Sequence, residues 1–262
     1  MDRANLGREA DRRRFRVAGE AKPLAGTARA ALAGELPPRY ATDNWTLPFL
    51  EAVSARLEPG MRILDLGGGA APSLGPEQRP ADSLYVGLDI SASELARAPA
   101  GAYDEIVEAD ARERQPDLEG RFDLVLSWFL LEHVSSVQRT LDNVRAYLRP
   151  GGHLVAQAAG ARSVFGLLNR AVPERLARWS LVRLQGRFPE SIFSAHYDNC
   201  TYSGLTESLC GWEQAAVTPL NTGVGYFRFS RLLAATYIAY EEWVHRGAHR
   251  ELAAYYLVTA RR

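Results

Sequence analysis

Cysteine, lysine and net charge are all scarce in this 262-residue chain. Cys200 and Cys210 are the only thiols. Their spacing matches no zinc or redox motif, and two cysteines cannot build a disulfide framework, so a reducing, cytoplasmic setting is expected. Lys22 is the single lysine, which reads as a compositional bias toward arginine rather than as function. The 31 basic residues are balanced by 31 acidic ones, so no global field recruits nucleic acid or an anionic membrane. No uncharged apolar run approaches the roughly 18 residues of a membrane span. Met1-Asp2-Arg3 leads into a charged stretch without the apolar segment of a secretory signal. The five histidines, two cysteines and the acids show no metal-ligand spacing, so no metal is expected.

What is present is ordinary globular material: 47% hydrophobic and 24% charged residues, enough for one α/β domain with an insertion. Residues 1–44 form an Arg-, Ala- and Gly-rich arm that is either a mobile tail or a cap. Leu47, Leu50, Val53 and Leu57 then recur at helical spacing and stop at Pro59-Gly60. Short apolar runs follow at Arg62–Leu66, Leu84–Leu88, Tyr103–Glu108, Phe122–Leu126 and His153–Ala158, with a helix over about 137–148. Strands alternating with helices imply crossover connections and a parallel sheet. Residues 161–200 read as a mostly helical, Arg-rich insertion, with a helix from Pro173 to Gln185. Segment 201–262 returns to the α/β rhythm through a helix near 202–209, a run at 212–217, an apolar helix at about 229–244 and a last strand at 254–260.

The most informative segment is Ile63-Leu-Asp-Leu-Gly-Gly-Gly-Ala-Ala-Pro72. Glycines after a buried strand let the backbone turn sharply and approach a ligand, in the manner of dinucleotide-binding folds. Asp89 ends the next strand roughly 20 residues later, the place of an acid that holds ribose hydroxyls. Asp65 precedes the glycines; a phosphate loop would avoid that charge, whereas a cofactor bearing an ammonium and a sulfonium would suit it. The loop also lacks the Gly-Lys-Ser/Thr of triphosphatases. This balance favours S-adenosylmethionine over NAD or ATP.

On the motifs Leu64-Asp-Leu-Gly-Gly-Gly69, Val86-Gly-Leu-Asp-Ile-Ser91, Glu108-Ala-Asp110, Phe122-Asp-Leu-Val-Leu126, Leu131-Glu-His-Val134 and Leu148-Arg-Pro-Gly-Gly-His-Leu154, the chain resembles class I S-adenosylmethionine-dependent methyltransferases of the bacterial small-molecule type. The resemblance implies a Rossmann-like, seven-stranded sheet with helices on both faces and a helical cap. Within it, 45–160 is the cofactor-binding core, 161–200 the cap and 201–262 the completion of the sheet. It also implies that Gly67, Gly68 and Gly69 line the methionine part, that Asp89 with Ile90 binds the ribose, and that Asp110 and Ala111 flank the adenine. Ser127 and Trp128 would face cofactor or acceptor, although Trp128 is equally a packing residue. Pro72, Pro76 and Pro80 depart from the family where the first crossover helix should run. An interior proline costs a helix about 3 kcal/mol, so that helix is expected to be short or broken.

Candidate bases for a hydroxyl acceptor are His133, in the turn after the fourth strand, and His196 with Asp198, in the polar run His196-Tyr-Asp-Asn199. Each also has a purely structural reading. The insertion's apolar residues suit a lid over a small organic acceptor, a homodimer interface or shallow membrane contact. The resulting expectation is O-methylation of a small biosynthetic acceptor. The alternatives are aminocarboxypropyl transfer or cyclisation on the same fold, or a non-catalytic accessory subunit.

Overall fold

A computed structural model describes residue 40 and residues 45–171, 195–227 and 230–262. Seven strands form one sheet in the order β3-β2-β1-β4-β5-β7-β6. The strands are β1 (Arg62–Leu66), β2 (Leu84–Asp89), β3 (Glu105–Glu108), β4 (Phe122–Trp128), β5 (Leu148–Ala159), β6 (Glu213–Leu220) and β7 (Tyr255–Arg261). Strands β1 to β5 pair in parallel, while β7 runs antiparallel to both β5 and β6. The carboxyl ends of β1 to β6 therefore lie along one edge. Because β1 and β4 adjoin at the centre while their crossovers lead in opposite directions, that edge carries the crevice in which open α/β sheets bind ligands.

The side-chain period of two sorts each strand between two cores. Leu64, Leu66, Val125, Leu154, Ala156 and Val258 face α3 (Val137–Tyr147) and α5 (Tyr202–Ser208). Ile63, Leu124, Leu126, Val155 and Leu257 face α1 (Leu47–Ser54) through Phe49, Leu50 and Val53. The α3 start is set by Ser136, whose hydroxyl accepts from Arg139 N–H, and by Asp198, whose Oδ2 accepts from Val137 N–H at 3.0 Å. A third, smaller core joins Tyr40 to Val224, Ala234, Tyr237 and Ile238, seating α6 (Arg231–Arg246). Tyr40 thus serves packing here. The two remaining helices are α2 (Ala92–Ala96) and α4 (Val164–Ala171).

All seven expected strands are present, one of them with an earlier start. Strand β5 begins at Leu148, five residues before the expected start, because Leu148 already pairs with Phe122; the ladder is then interrupted until His153, with Gly151 at φ +85° beside Arg261 and Arg262. Between β1 and β2 the crossover has only a three-residue 3₁₀ turn, Pro76–Gln78, in place of a helix. That is the expected effect of Pro72, Pro76 and Pro80. The expected helix over 173–185 lies outside the described residues. None of the described helices is long and apolar enough to cross a membrane.

Candidate active site

Asp65, the last polar residue of β1, is fully buried at 0% exposure. Its Oδ1 accepts from Ser73 Oγ–H at 2.7 Å. Its Oδ2 accepts from Ser73 N–H and Tyr85 O–H, each at 2.7 Å. Burial raises its pKa, and these hydrogen bonds with the nearby Arg79 charge oppose the rise. The Tyr85 Oη in turn accepts from Leu74 N–H at 3.1 Å. The Arg79 guanidinium lies 3.9 Å over the Tyr85 ring and donates to the carbonyls of Leu74, Gly101 and Ala102. Tyr103 stacks on Tyr85 and donates its hydroxyl to Gly69 O at 3.1 Å. Side chains thus hold the back of the glycine turn, where a helix would ordinarily do so.

The turn itself requires glycine. Gly67 and Gly69 hold φ of +80° and +48°, values that L side chains rarely adopt. A Cβ on Gly68 would sit 2.4 Å from Tyr103 Oη. Asp89 closes the front of the turn: its carboxyl accepts from the N–H groups of Gly69, Ile90 and Ser91, and burial raises its pKa. Ile90 beside it is 55% exposed and offers a bare apolar face at the strand edge. Asp110 is held ionised below its ordinary range by Arg112, which bonds both its oxygens. Ala111 is buried against the α3 core, and its carbonyl accepts from Asn143 Nδ2 at 3.0 Å. Ser127, at the end of β4, is buried, and its Oγ has no partner among the described residues.

The β4 end is aromatic. Trp128 lies with its ring centroid 4.6 Å from Phe49, 5.5 Å from Trp45 and 4.9 Å from Phe129. Tyr255 closes the cluster at 5.4 Å from Phe129. Phe129 holds φ of +52°, a strain of order 1–3 kcal/mol that persists only where surroundings over-determine the backbone. Its N–H donates to Gln157 O at 2.8 Å.

The candidate bases separate. His133 is half-buried in the 3₁₀ turn Leu131–His133, immediately after β4. His196 is exposed, and among the described residues no hydrogen bond joins its ring to Asp198, which is engaged with α3 instead. The backbone N–H groups of His196 and Tyr197 both donate to Glu132 O, at 2.8 and 2.9 Å. Glu132 itself escapes a sequence reading. Its side chain is buried, accepts from its own N–H and that of Ala159, and leaves Oε2 without a partner among the described residues. Burial pushes its pKa from 4.5 up to about 8. Gln157, Ser73 and Tyr85 were equally silent, since only the fold brings them to the edge. Among the described residues no group of His, Cys, Asp and Glu could hold a metal ion.

A glycine turn after β1 and acids after β2 and β3, on a sheet of this strand order, define a Rossmann-like nucleoside-cofactor protein. The chain belongs to the methyltransferase-domain family, whose model matches residues 39–197. It is 32% identical over 123 residues to the ubiquinone biosynthesis O-methyltransferase of Nitrobacter winogradskyi, covering 46% of this chain and 47% of that protein. It is 33% identical over 144 residues to the lovastatin diketide synthase lovF of Aspergillus terreus, covering 47% of this chain and 6% of that protein. The chain thus spans about half the length of the first relative and a small part of the second. Among solved structures, the [4+2]-cyclase SpnF superposes with a TM-score of 0.53 at 20% identity, over 87% of this chain and 84% of that one. Haemonchus contortus phosphoethanolamine N-methyltransferase 2, in complex with S-adenosyl-L-methionine, gives 0.51 at 14% identity, over 90% and 56%. At these identities both likenesses are of fold.

The family's cofactor is S-adenosylmethionine, and the residues present fit it. A dinucleotide's pyrophosphate is held by a helix N-terminus behind the glycines, and here no helix follows them. The edge instead carries Asp89 and the Arg112-held Asp110, while Asp65 lies buried beneath the turn with its oxygens taken by Ser73 and Tyr85. A carboxylate has about four acceptor directions. Three at Asp89 are taken by backbone, so capacity remains for a ribose hydroxyl.

Two outcomes follow. Asp89→Ala should weaken S-adenosylhomocysteine binding by 100-fold or more in calorimetric titration, with the circular dichroism of the fold retained. Glu132 should make stability fall as pH rises from about 4.5 to about 8, because the unfolded carboxyl ionises first while the folded one stays protonated. Glu132→Gln should therefore raise the melting temperature by several degrees above about pH 8 and change it little near about pH 5.

Proposed function

We propose that this chain is an S-adenosylmethionine-dependent O-methyltransferase acting on a small organic molecule. The observation that carries the reading is the acid-lined, helix-free glycine turn set beside an aromatic strand edge at β4. The naming of the Nitrobacter relative as an O-methyltransferase supports oxygen as the atom methylated. Balanced charge supports a small acceptor over a nucleic acid.

When bound, S-adenosylmethionine supplies an electrophilic methyl on a sulfonium and leaves as neutral S-adenosylhomocysteine. Gly67, Gly68 and Gly69 bring backbone close to its methionine part, Asp89 with Ile90 holds the ribose, and Asp110 with Ala111 borders the adenine. Ser127 and Trp128 border the space between cofactor and acceptor. The protein's remaining work is to align the acceptor hydroxyl, exclude water and remove one proton. We assign the proton to His133, half-buried in the turn leaving β4; His196 is exposed, and Asp198 is engaged at the α3 start instead of pairing with it. Residues 45–160 serve the cofactor.

With methyl-labelled cofactor and a panel of hydroxylated small molecules, label should enter an organic product while S-adenosylhomocysteine accumulates. Methylthioadenosine in its place would overturn methyl transfer. His133→Ala should lower turnover by about 100-fold, the scale of a lost general base, with S-adenosylhomocysteine affinity unchanged.

A further inference from the structure

Gln157 is one of the buried polar groups, among the described residues, that the cofactor chemistry leaves unused. It is 0% exposed, near the end of β5, and lies directly across from Trp128 of β4. Its Nε2 donates to Trp45 O at 2.9 Å, which fixes the amide's orientation. Its Oε1 is then an acceptor with no partner among the described residues. An unpaired buried carbonyl is destabilising, so the fold keeps it at a cost that a ligand's donor would remove. The surroundings say which donor. Trp45 is bound to the Gln157 side chain, Trp128 is its lateral neighbour, and Phe129 N–H donates to its backbone carbonyl. Tyr255 pairs with Ala159, two residues along the same strand. Neighbouring rings stand 4.9 to 6.3 Å apart in tilted or edge-on pairs, and Trp45 is exposed on the outside of the cluster. Aromatic edges and faces of this kind favour another π-system over a saturated body of equal size. On the methyltransferase reading the acceptor lies at the adjoining β4 end, where Phe129 holds a left-handed backbone.

We propose that Gln157 Oε1 and the rings of Trp45, Trp128, Phe129 and Tyr255 form the acceptor subsite. It takes a planar conjugated ring bearing a hydroxyl, which donates to Gln157. This deepens the methyltransferase reading and rests on it. Gln157 is a positioning residue: it accepts a hydrogen bond and orients the ring, and it takes no proton. Trp45, the exposed ring of the four, is the wall by which the ring enters.

The test is a ligand-observed NMR titration of phenol into the full chain saturated with S-adenosylhomocysteine, with cyclohexanol as the saturated counterpart. Phenol should bind saturably and at least tenfold more tightly than cyclohexanol. Gln157→Leu should weaken phenol at least tenfold while leaving S-adenosylhomocysteine affinity unchanged, and Gln157→Glu, which keeps an acceptor, should restore part of the loss. Trp45→Ala, at a half-exposed position that folding tolerates, should weaken phenol similarly. Equal binding of the two alcohols, absence of saturable phenol binding, or wild-type affinity in Gln157→Leu or Trp45→Ala would overturn the subsite. If S-adenosylhomocysteine itself fails to bind, the methyltransferase reading falls, and phenol titrated alone still decides the subsite.

Discussion

One buried carboxylate organises the ligand-binding edge of this protein. Asp65 sits under the glycine turn with no exposed surface, and removing such a group from water is costly unless its lone pairs are filled. Ser73 and Tyr85 fill them. Through Ser73 the carboxylate fixes the far end of the turn. Through Tyr85 it joins Leu74, Arg79 and Tyr103, and Tyr103 returns to Gly69. The loop is clamped from behind by side chains in a crossover where three prolines deny it a helix.

That substitution decides the chemistry at the edge. With no helix N-terminus aimed at the glycines, the turn lacks the partial positive charge that a phosphate needs, and Arg79 behind it is engaged by the Tyr85 ring and backbone carbonyls. Hydroxyls and cationic groups are the complementary ligands, which agrees with the family to which the chain belongs. Beyond the turn the edge becomes aromatic at Trp128 and Phe129, so an acid-bearing half and an apolar half meet at the end of β4.

The strands were legible because buried parallel strands are short, continuous apolar runs bounded by turn residues, a local signal. The broken crossover was legible for the same reason, since proline acts locally. The glycine turn and the strand-end acids were found by spacing along the chain. What stayed hidden depends on contacts across the fold. Asp65 read as a partner for a cation, yet its oxygens are engaged by Ser73 and Tyr85, residues that only the sheet brings to it. The expected His196–Asp198 pairing gives way to a bond from Val137 N–H across the α3 start. Glu132 and Gln157 are ordinary polar residues in sequence, and burial alone makes them notable.

The central claim is that Asp65 holds the turn in its ligand-ready shape. Calorimetric titration of S-adenosylhomocysteine into Asp65→Asn tests it most directly, because asparagine keeps the volume while placing an NH₂ against donors that need an acceptor. The account predicts a folded protein whose affinity falls at least tenfold below wild type. Wild-type affinity in that variant would contradict it.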